Sequence, residues 1–179
     1  KSGINNLGIE GQIYFGALTS AMVGAYVQGP GYVVIPLAIL AGATAGLLYA
    51  VVPAILKVYW NIDEMITTLM LNYVAIQVTE YLTMMIMGLS SDTNPDMIAT
   101  PEIQESARLT RIMPPYQAST GIFIGLGIAV VIFILYKYTR VGYEWKMIGR
   151  NRIFAKYGGI RHLKNYFIIF LCSGAIAGV

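Results

Sequence analysis

An all-α, polytopic transmembrane helical bundle is the fold class this 179-residue sequence predicts, and three observations lead to it. Charged residues make up 12% of the chain and hydrophobic residues 56%, whereas a soluble domain carries about 25% charged residues. So few charges cannot cover a water-exposed surface, and lipid is the solvent in which apolar outer faces are stable. The charges are also segregated: none lies between Glu10 and Lys57, none between Arg111 and Lys137, none after Lys164, and Glu80 stands alone between Glu64 and Asp92. The intervening apolar runs are continuous and lack the two-residue alternation of a barrel strand. A spanning helix needs roughly 20 mostly apolar residues, so the Glu10–Lys57 gap holds two spans and the Glu64–Asp92 and Arg111–Lys137 gaps hold one each. The segment after Lys164 begins a fifth and reaches Val179 inside an apolar run. Residue 1 is Lys, and the last span is short, so the sequence reads as a fragment of one transmembrane domain covering residues 1–179.

The elements follow in order. A first span is expected from Gly11 to about Gln28, closed by the breaker Gly29-Pro30-Gly31. A second runs from about Tyr32 to Leu56, with Pro36 and Pro53 near its ends. A polar link, Lys57 to Asp63, leads into a third span from Glu64 to about Leu89. Residues 90–118 are rich in Ser, Asp, Asn, Thr and Pro and read as an extramembrane loop. A fourth span covers Ser119 to Tyr136, and a basic stretch from Lys137 to Lys164 precedes the fifth.

Orientation comes from the loops. From Arg140 to Lys164 seven Lys/Arg face a single acid, Glu144, and the positive-inside rule therefore puts this loop in the cytoplasm. Alternation then puts loop 90–118 and the Gly29–Gly31 turn outside and the Lys57–Asp63 link inside. Small residues recur at helix-packing spacing, at Ser20/Gly24, Gly42/Gly46, Gly121/Gly125 and Gly174/Gly178, a pattern that lets backbones approach closely in lipid. The single Cys172 lies in an apolar segment and reads as a packing residue. One cysteine offers neither a disulfide framework nor a metal cluster.

Three segments carry more than membrane character. In the first, Asn5, Asn6, Glu10 and Gln12 flank an apolar span amid Gly3, Gly8 and Gly11. Polar, Gly-rich backbone beside a span suits a broken or re-entrant helix lining a cavity; it suits equally an interfacial cap, where Asn and Glu favour the start of a helix. In the second, Asn61, Glu64, Thr68 and Asn72 are spaced so that they share one helix face. A polar stripe on a membrane helix faces the bundle interior, either as part of a pathway or as interhelical hydrogen bonding. In the third, basic residues alternate with small ones through Thr139-Arg140-Val141-Gly142, Ile148-Gly149-Arg150-Asn151 and Ala155-Lys156-Tyr157-Gly158-Gly159-Ile160. Such a loop fits contact with anionic headgroups, or docking of a partner that approaches closely over Gly and Ala.

These segments together resemble the permease subunits of bacterial ABC importers for nucleosides and simple sugars, within the ribose and branched-chain amino-acid permease superfamily. Asn6 to Gln12 resembles the family's N-I-G-x-E-G-Q, and Glu64 to Tyr73 its E-V-I-x-T-x-M-L-N-Y. Thr100-Pro101 to Leu109 resembles T-P-x-I-x-x-S-A-x-L, Thr139 to Ile160 the T-x-x-G-x-x-x-R-A-V-G-x-N-x-x-A-A-x-x-G-I segment, and Ser173 to Gly178 S-G-A-x-A-G. The departures are Leu7 for Ile, Lys146-Met147-Ile148-Gly149 for R-A-V-G, Phe154-Ala155 for A-A, and Arg150 where an acid is common. The resemblance implies a translocation path formed with Asn6, Glu10, Gln12, Thr68, Asn72 and Tyr73. It implies a cytoplasmic coupling loop, residues 139–160, meeting an ATPase through Thr139, Gly142, Gly149, Asn151, Ala155, Gly158 and Ile160. Implied partners are a cytoplasmic ATP-binding subunit, an extracytoplasmic solute-binding protein or lipoprotein, and a second permease subunit, identical or different, in the bacterial cytoplasmic membrane with its lipid. The ligand is a small solute and not nucleic acid. No Gly-x-x-x-x-Gly-Lys-[Ser/Thr] motif occurs, so no cofactor is expected in this chain and ATP belongs to the partner.

Two other classes compete. An intramembrane enzyme needs an assembled nucleophile, base or metal site, yet His162 sits in the basic loop and Cys172 has no His or acid nearby in sequence. An ion-coupled secondary transporter of small polar solutes carries its own coupling-ion ligands at mid-membrane, and Glu80 is the one acid deep in a span.

Overall fold

The computed structural model describes residues 3–87 and 119–179. The expected loop 90–118, and with it the Thr100–Leu109 resemblance, lies outside the described residues. Among the described residues the chain is helical, with no strand: α1 Ile9–Tyr26, α2 Gly31–Trp60, α3 Glu64–Leu82 with a π-helical turn Thr83–Met87, α4 Gly121–Tyr138, α5 Arg140–Arg150, α6 Arg152–Tyr157 and α7 His162–Ala177. The fold is an all-α membrane bundle. Three helical stretches are long and apolar enough to cross a membrane: Gly31–Trp60, Glu64–Ile86 and Gly121–Tyr138. Helix α1, expected as a full span, is 18 residues long and falls below that apolarity because Glu10, Gln12, Thr19 and Ser20 lie in it. The fifth expected span is the shorter apolar helix α7.

The described residues divide into two compact units. One contains residues 5–87 and 167–179, hence α1, α2, α3 and most of α7. Helices α1 and α2 are antiparallel: Ser20 Oγ donates to the Ala38 carbonyl at 3.0 Å, and Phe15 stacks on Tyr49 with ring centroids 4.7 Å apart. Helices α2 and α3 are antiparallel as well, tied by the Tyr49 hydroxyl to the Leu71 carbonyl and by the Lys57–Glu64 ion pair. Helix α2 runs four residues beyond its expected end and stops at Asn61, whose left-handed backbone (φ 52°) closes the helix. Asp63 then starts α3, its carboxylate accepting from Met65 N–H at 2.8 Å.

Small residues set the packing of α7. An added Cβ on Gly16 would stand 2.5 Å from Gly178 Cα, and one on Gly174 2.5 Å from Ala50 Cβ. Gly42 and Gly46 meet the Gly178 and Gly174 backbones in the same way. The Gly42/Gly46 and Gly174/Gly178 pairs read from spacing alone therefore interlock, which is how helices gain dispersion contact where lipid removes the hydrophobic drive. Gly125, in contrast, has nothing within 4 Å of an added Cβ.

The other unit contains residues 3–4 and 119–166. Helix α4 buries no residue. Thr139 joins α4 to α5: its hydroxyl donates to the Leu135 carbonyl at 2.6 Å and accepts from Gly142 N–H at 3.2 Å. Gly142 sits so close to the last turn of α4 that an added Cβ would fall 2.6 Å from Tyr136 Cα. Asn151 caps α6 by accepting from Ile153 and Phe154 N–H, both at 3.0 Å.

Candidate functional site

Residues 4–8 form irregular backbone ahead of α1. A helix start leaves N–H groups unpaired, and Gly8 at the N-cap has no side chain to offer. The bond comes from another helix: Asn72 on α3 accepts from Gly11 N–H at 3.0 Å and donates to the Leu7 carbonyl at 2.8 Å. One carboxamide thus holds main chain on both sides of the α1 start. Gly11 permits this approach, because a Cβ there would lie 2.9 Å from Ala75 Cβ and 3.1 Å from Asn72 Oδ1.

Around that clamp the structure gathers four of the six candidate path residues. Gln12 and Thr68 are fully buried and Asn72 is 5% exposed. Asn6 Nδ2 donates to Gln12 Oε1 at 3.2 Å and to Ser173 Oγ, on α7, at 2.9 Å. Asn6 Oδ1 accepts from Gly8 N–H at 2.9 Å. Thr68 turns its hydroxyl back onto the Glu64 and Met65 carbonyls of its own helix, at 2.6 and 3.2 Å. Its methyl side faces Gly8, where a Cβ would stand 3.4 Å from Thr68 Cγ2. Two candidates stand apart: Glu10 is exposed, and Tyr73 points away from the cluster with 74% of its surface exposed. The stripe Asn61, Glu64, Thr68, Asn72 resolves in the same way. Thr68, Asn72, Ala75 and Thr79 form the buried face of α3, Glu64 pairs with Lys57, and Asn61 ends α2. Glu80 lies on the exposed side of α3.

Ser173 is the residue that sequence reasoning missed in this cluster. It stood within a recognised small-residue segment, but nothing local tied it to Asn6, 167 positions earlier.

In the second unit, α5 and α6 flank an open cleft of about 280 Å³ lined by Arg140, Tyr143, Glu144, Met147, Phe154, Ala155, Gly158 and Ile160. Three of the seven candidate coupling residues, Ala155, Gly158 and Ile160, line it. Thr139, Gly142 and Asn151 shape the helix ends beside it, and Gly149 is exposed. Around the cleft Tyr143, Ile153, Phe154 and Tyr157 are all more than 60% exposed, an apolar surface that the described residues leave uncovered. Beneath it Asn165 accepts from Trp145 Nε1 at 3.2 Å and donates to Glu144 Oε2 at 2.9 Å, while Trp145 packs edge-on against Tyr136. This buried joint between α5 and the first turn of α7 was also missed. Its signal was the helical spacing of Gly142, Trp145 and Ile148, the buried face of α5.

Over residues 1–179 the sequence matches the family described as branched-chain amino acid transport system / permease component. The chain belongs to this permease family. Among its relatives, a guanosine ABC transporter permease of Bacillus subtilis is 32% identical, the alignment covering 100% of this chain and 51% of the relative. A glucose ABC transporter permease of Haloferax volcanii is 28% identical, over 100% of this chain and 49% of the relative. A nucleoside ABC transporter permease of Lactococcus lactis is also 28% identical, over 100% and 51%. The chain spans about half the length of the curated relatives it matches. No solved structure matches it. Membership in the permease family fits the architecture above, in which three helices are long and apolar enough to cross a bilayer and polar side chains are drawn into one buried cluster.

Proposed function

We propose that this chain is part of the channel-forming permease subunit of an ABC importer for nucleosides or simple sugars, set in the bacterial cytoplasmic membrane as a multi-pass protein. The observation that carries the reading is the family match along the whole chain, with relatives named as guanosine, glucose and nucleoside ABC transporter permeases. The protein is a transporter and not an enzyme; a cytoplasmic partner supplies ATP hydrolysis, a binding protein or lipoprotein delivers the solute outside, and a second permease subunit completes the path.

Asn6, Gln12 and Ser173 contribute hydrogen-bonding groups to the solute path, Asn72 positions them by clamping the α1 start, and Thr68 packs against Gly8 beside it. Glu10 and Tyr73 lie apart from that cluster, on exposed surface. The α5–α6 hairpin, with its open cleft and exposed aromatic rim, is the docking surface for the ATPase. The seven Lys/Arg between Arg140 and Lys164 support a cytoplasmic position for it.

Co-purification tests this directly. The full-length subunit should bring down a cytoplasmic ATPase, and Phe154→Asp, which sets a charge on the exposed rim, should abolish that complex while leaving folded yield unchanged. Solute uptake by membranes that contain no ATPase would overturn the proposal.

A further inference from the structure

Among the described residues, Gln12 Nε2 is the buried side-chain nitrogen that has no hydrogen-bond partner. Its orientation is not arbitrary. Gly8 N–H points at Asn6 Oδ1, so the Asn6 amide nitrogen must face Gln12 and Ser173. Gln12 must therefore present its oxygen to Asn6 and turn its NH₂ group away. Ser173 Oγ enters this network as the acceptor from the same Asn6 nitrogen, which leaves its hydroxyl hydrogen uncommitted. Two donors beside the Asn6 amide are thus unused: the Gln12 NH₂ group is fully buried, where an unpaired polar group is costly, and the Ser173 hydroxyl is half-buried next to it. Both oxygens of the cluster amides are already engaged, Asn6 Oδ1 by Gly8 and Gln12 Oε1 by Asn6.

We infer that Gln12 and Ser173 form a donor subsite for a solute acceptor that carries no hydrogen of its own: a carbonyl oxygen or an unprotonated ring nitrogen, as on the edge of a nucleobase. This deepens the transport reading above and rests on it. A sugar hydroxyl that accepts here must also place its own hydrogen, and the amide oxygens of the cluster each already accept one bond, whereas a nucleobase carbonyl accepts from the donors and brings no hydrogen to place. Gln12 is fully buried, so a solute reaches it only when the packing around the α1 start opens.

The test is ATP-dependent uptake by the full-length subunit reconstituted with its ATPase and binding protein. The solutes are a carbonyl-bearing nucleoside, the same nucleoside with that carbonyl replaced by hydrogen, and a hydroxyl-only sugar. Gln12→Met, which keeps the unbranched shape without the amide, should raise KM for the carbonyl-bearing nucleoside roughly five- to tenfold. It should add nothing to the already raised KM of the analogue. Gln12→Leu likewise removes the amide donor at nearly the same volume, so it should lose the same uptake. It serves as the second variant where the first folds poorly. Higher thermal stability of Gln12→Met with unchanged uptake would show that the amide is only a structural orphan, and would overturn the subsite. Transport of the sugar but not of either nucleoside would overturn it too, while leaving the importer reading intact. Absence of ATP-dependent uptake for all three solutes by the unmodified protein would instead refute the importer reading itself.

Discussion

Replacing Asn72 with Ala removes the clamp on the start of α1. The side chain makes two hydrogen bonds to main chain, at 3.0 Å to Gly11 N–H and 2.8 Å to the Leu7 carbonyl; the first is buried and the second half-buried. A buried group left unpaired costs about 1–3 kcal/mol, while interhelical hydrogen bonds in membranes average about 0.6 kcal/mol and reach about 1.7. Two bonds, with one partner orphaned in the interior and one at its edge, therefore place the loss for Asn72→Ala at about 1–3 kcal/mol. The neighbouring Thr68 supplies the contrast. It is just as buried, yet its hydroxyl bonds only to carbonyls of its own helix. Thr68→Val keeps the branched shape and should change stability by less than about 0.5 kcal/mol, since such back-bonding adds little to a helix. Thermal unfolding of the full-length subunit in detergent reads both. Asn72→Ala should melt well below the parent and Thr68→Val beside it. Equal midpoints for Asn72→Ala and the parent would refute the clamp and return Asn72 to the solute.

Two further outcomes follow from the same geometry. Gly46→Leu should eliminate folded protein in a fluorescence size-exclusion assay, because the Gly174 and Gly178 backbones occupy the space of any side chain there. Gly125→Ala, with nothing near its added methyl, should be tolerated and gain up to about 1 kcal/mol of helix propensity. In intact cells, an impermeant thiol reagent should label Gln28→Cys, in the turn after α1, and leave Lys156→Cys, in the basic stretch, unlabelled. Both positions are exposed, so reversed labelling would mean reversed topology.

The helices were legible because charge and hydropathy segregate along the chain, and the boundaries moved by only a few residues where side chains intervene. Helix α2 runs on through Val58, Tyr59 and Trp60 until Asn61 turns it, although the polar look of Lys57-to-Asp63 suggested an earlier stop. The glycine pairs were legible as spacing, and their partners were not: Gly42 meets Gly178 and Gly46 meets Gly174, across more than a hundred residues. The polar segments 6–12 and 64–73 stood out for the same reason that they matter, since Asn6, Gln12, Thr68 and Asn72 interrupt apolar runs. Their division of labour was hidden. Whether Asn72 bonds to solute or to main chain depends on the start of α1, 61 residues away, and no local pattern encodes that contact. Tyr73 sits next to Asn72 in sequence, but neighbouring residues on a helix point about 100° apart, and it faces outward.

The measurement that bears most directly on an ATPase-driven permease is the energy source for uptake. Proteoliposomes carrying the full-length subunit, its ATPase and its binding protein should accumulate nucleoside or sugar when ATP is supplied to the ATPase face, at a rate unchanged by ionophores that collapse proton and sodium gradients. Uptake that continues without ATP and stops when those gradients are collapsed would contradict it, and would identify an ion-coupled carrier instead.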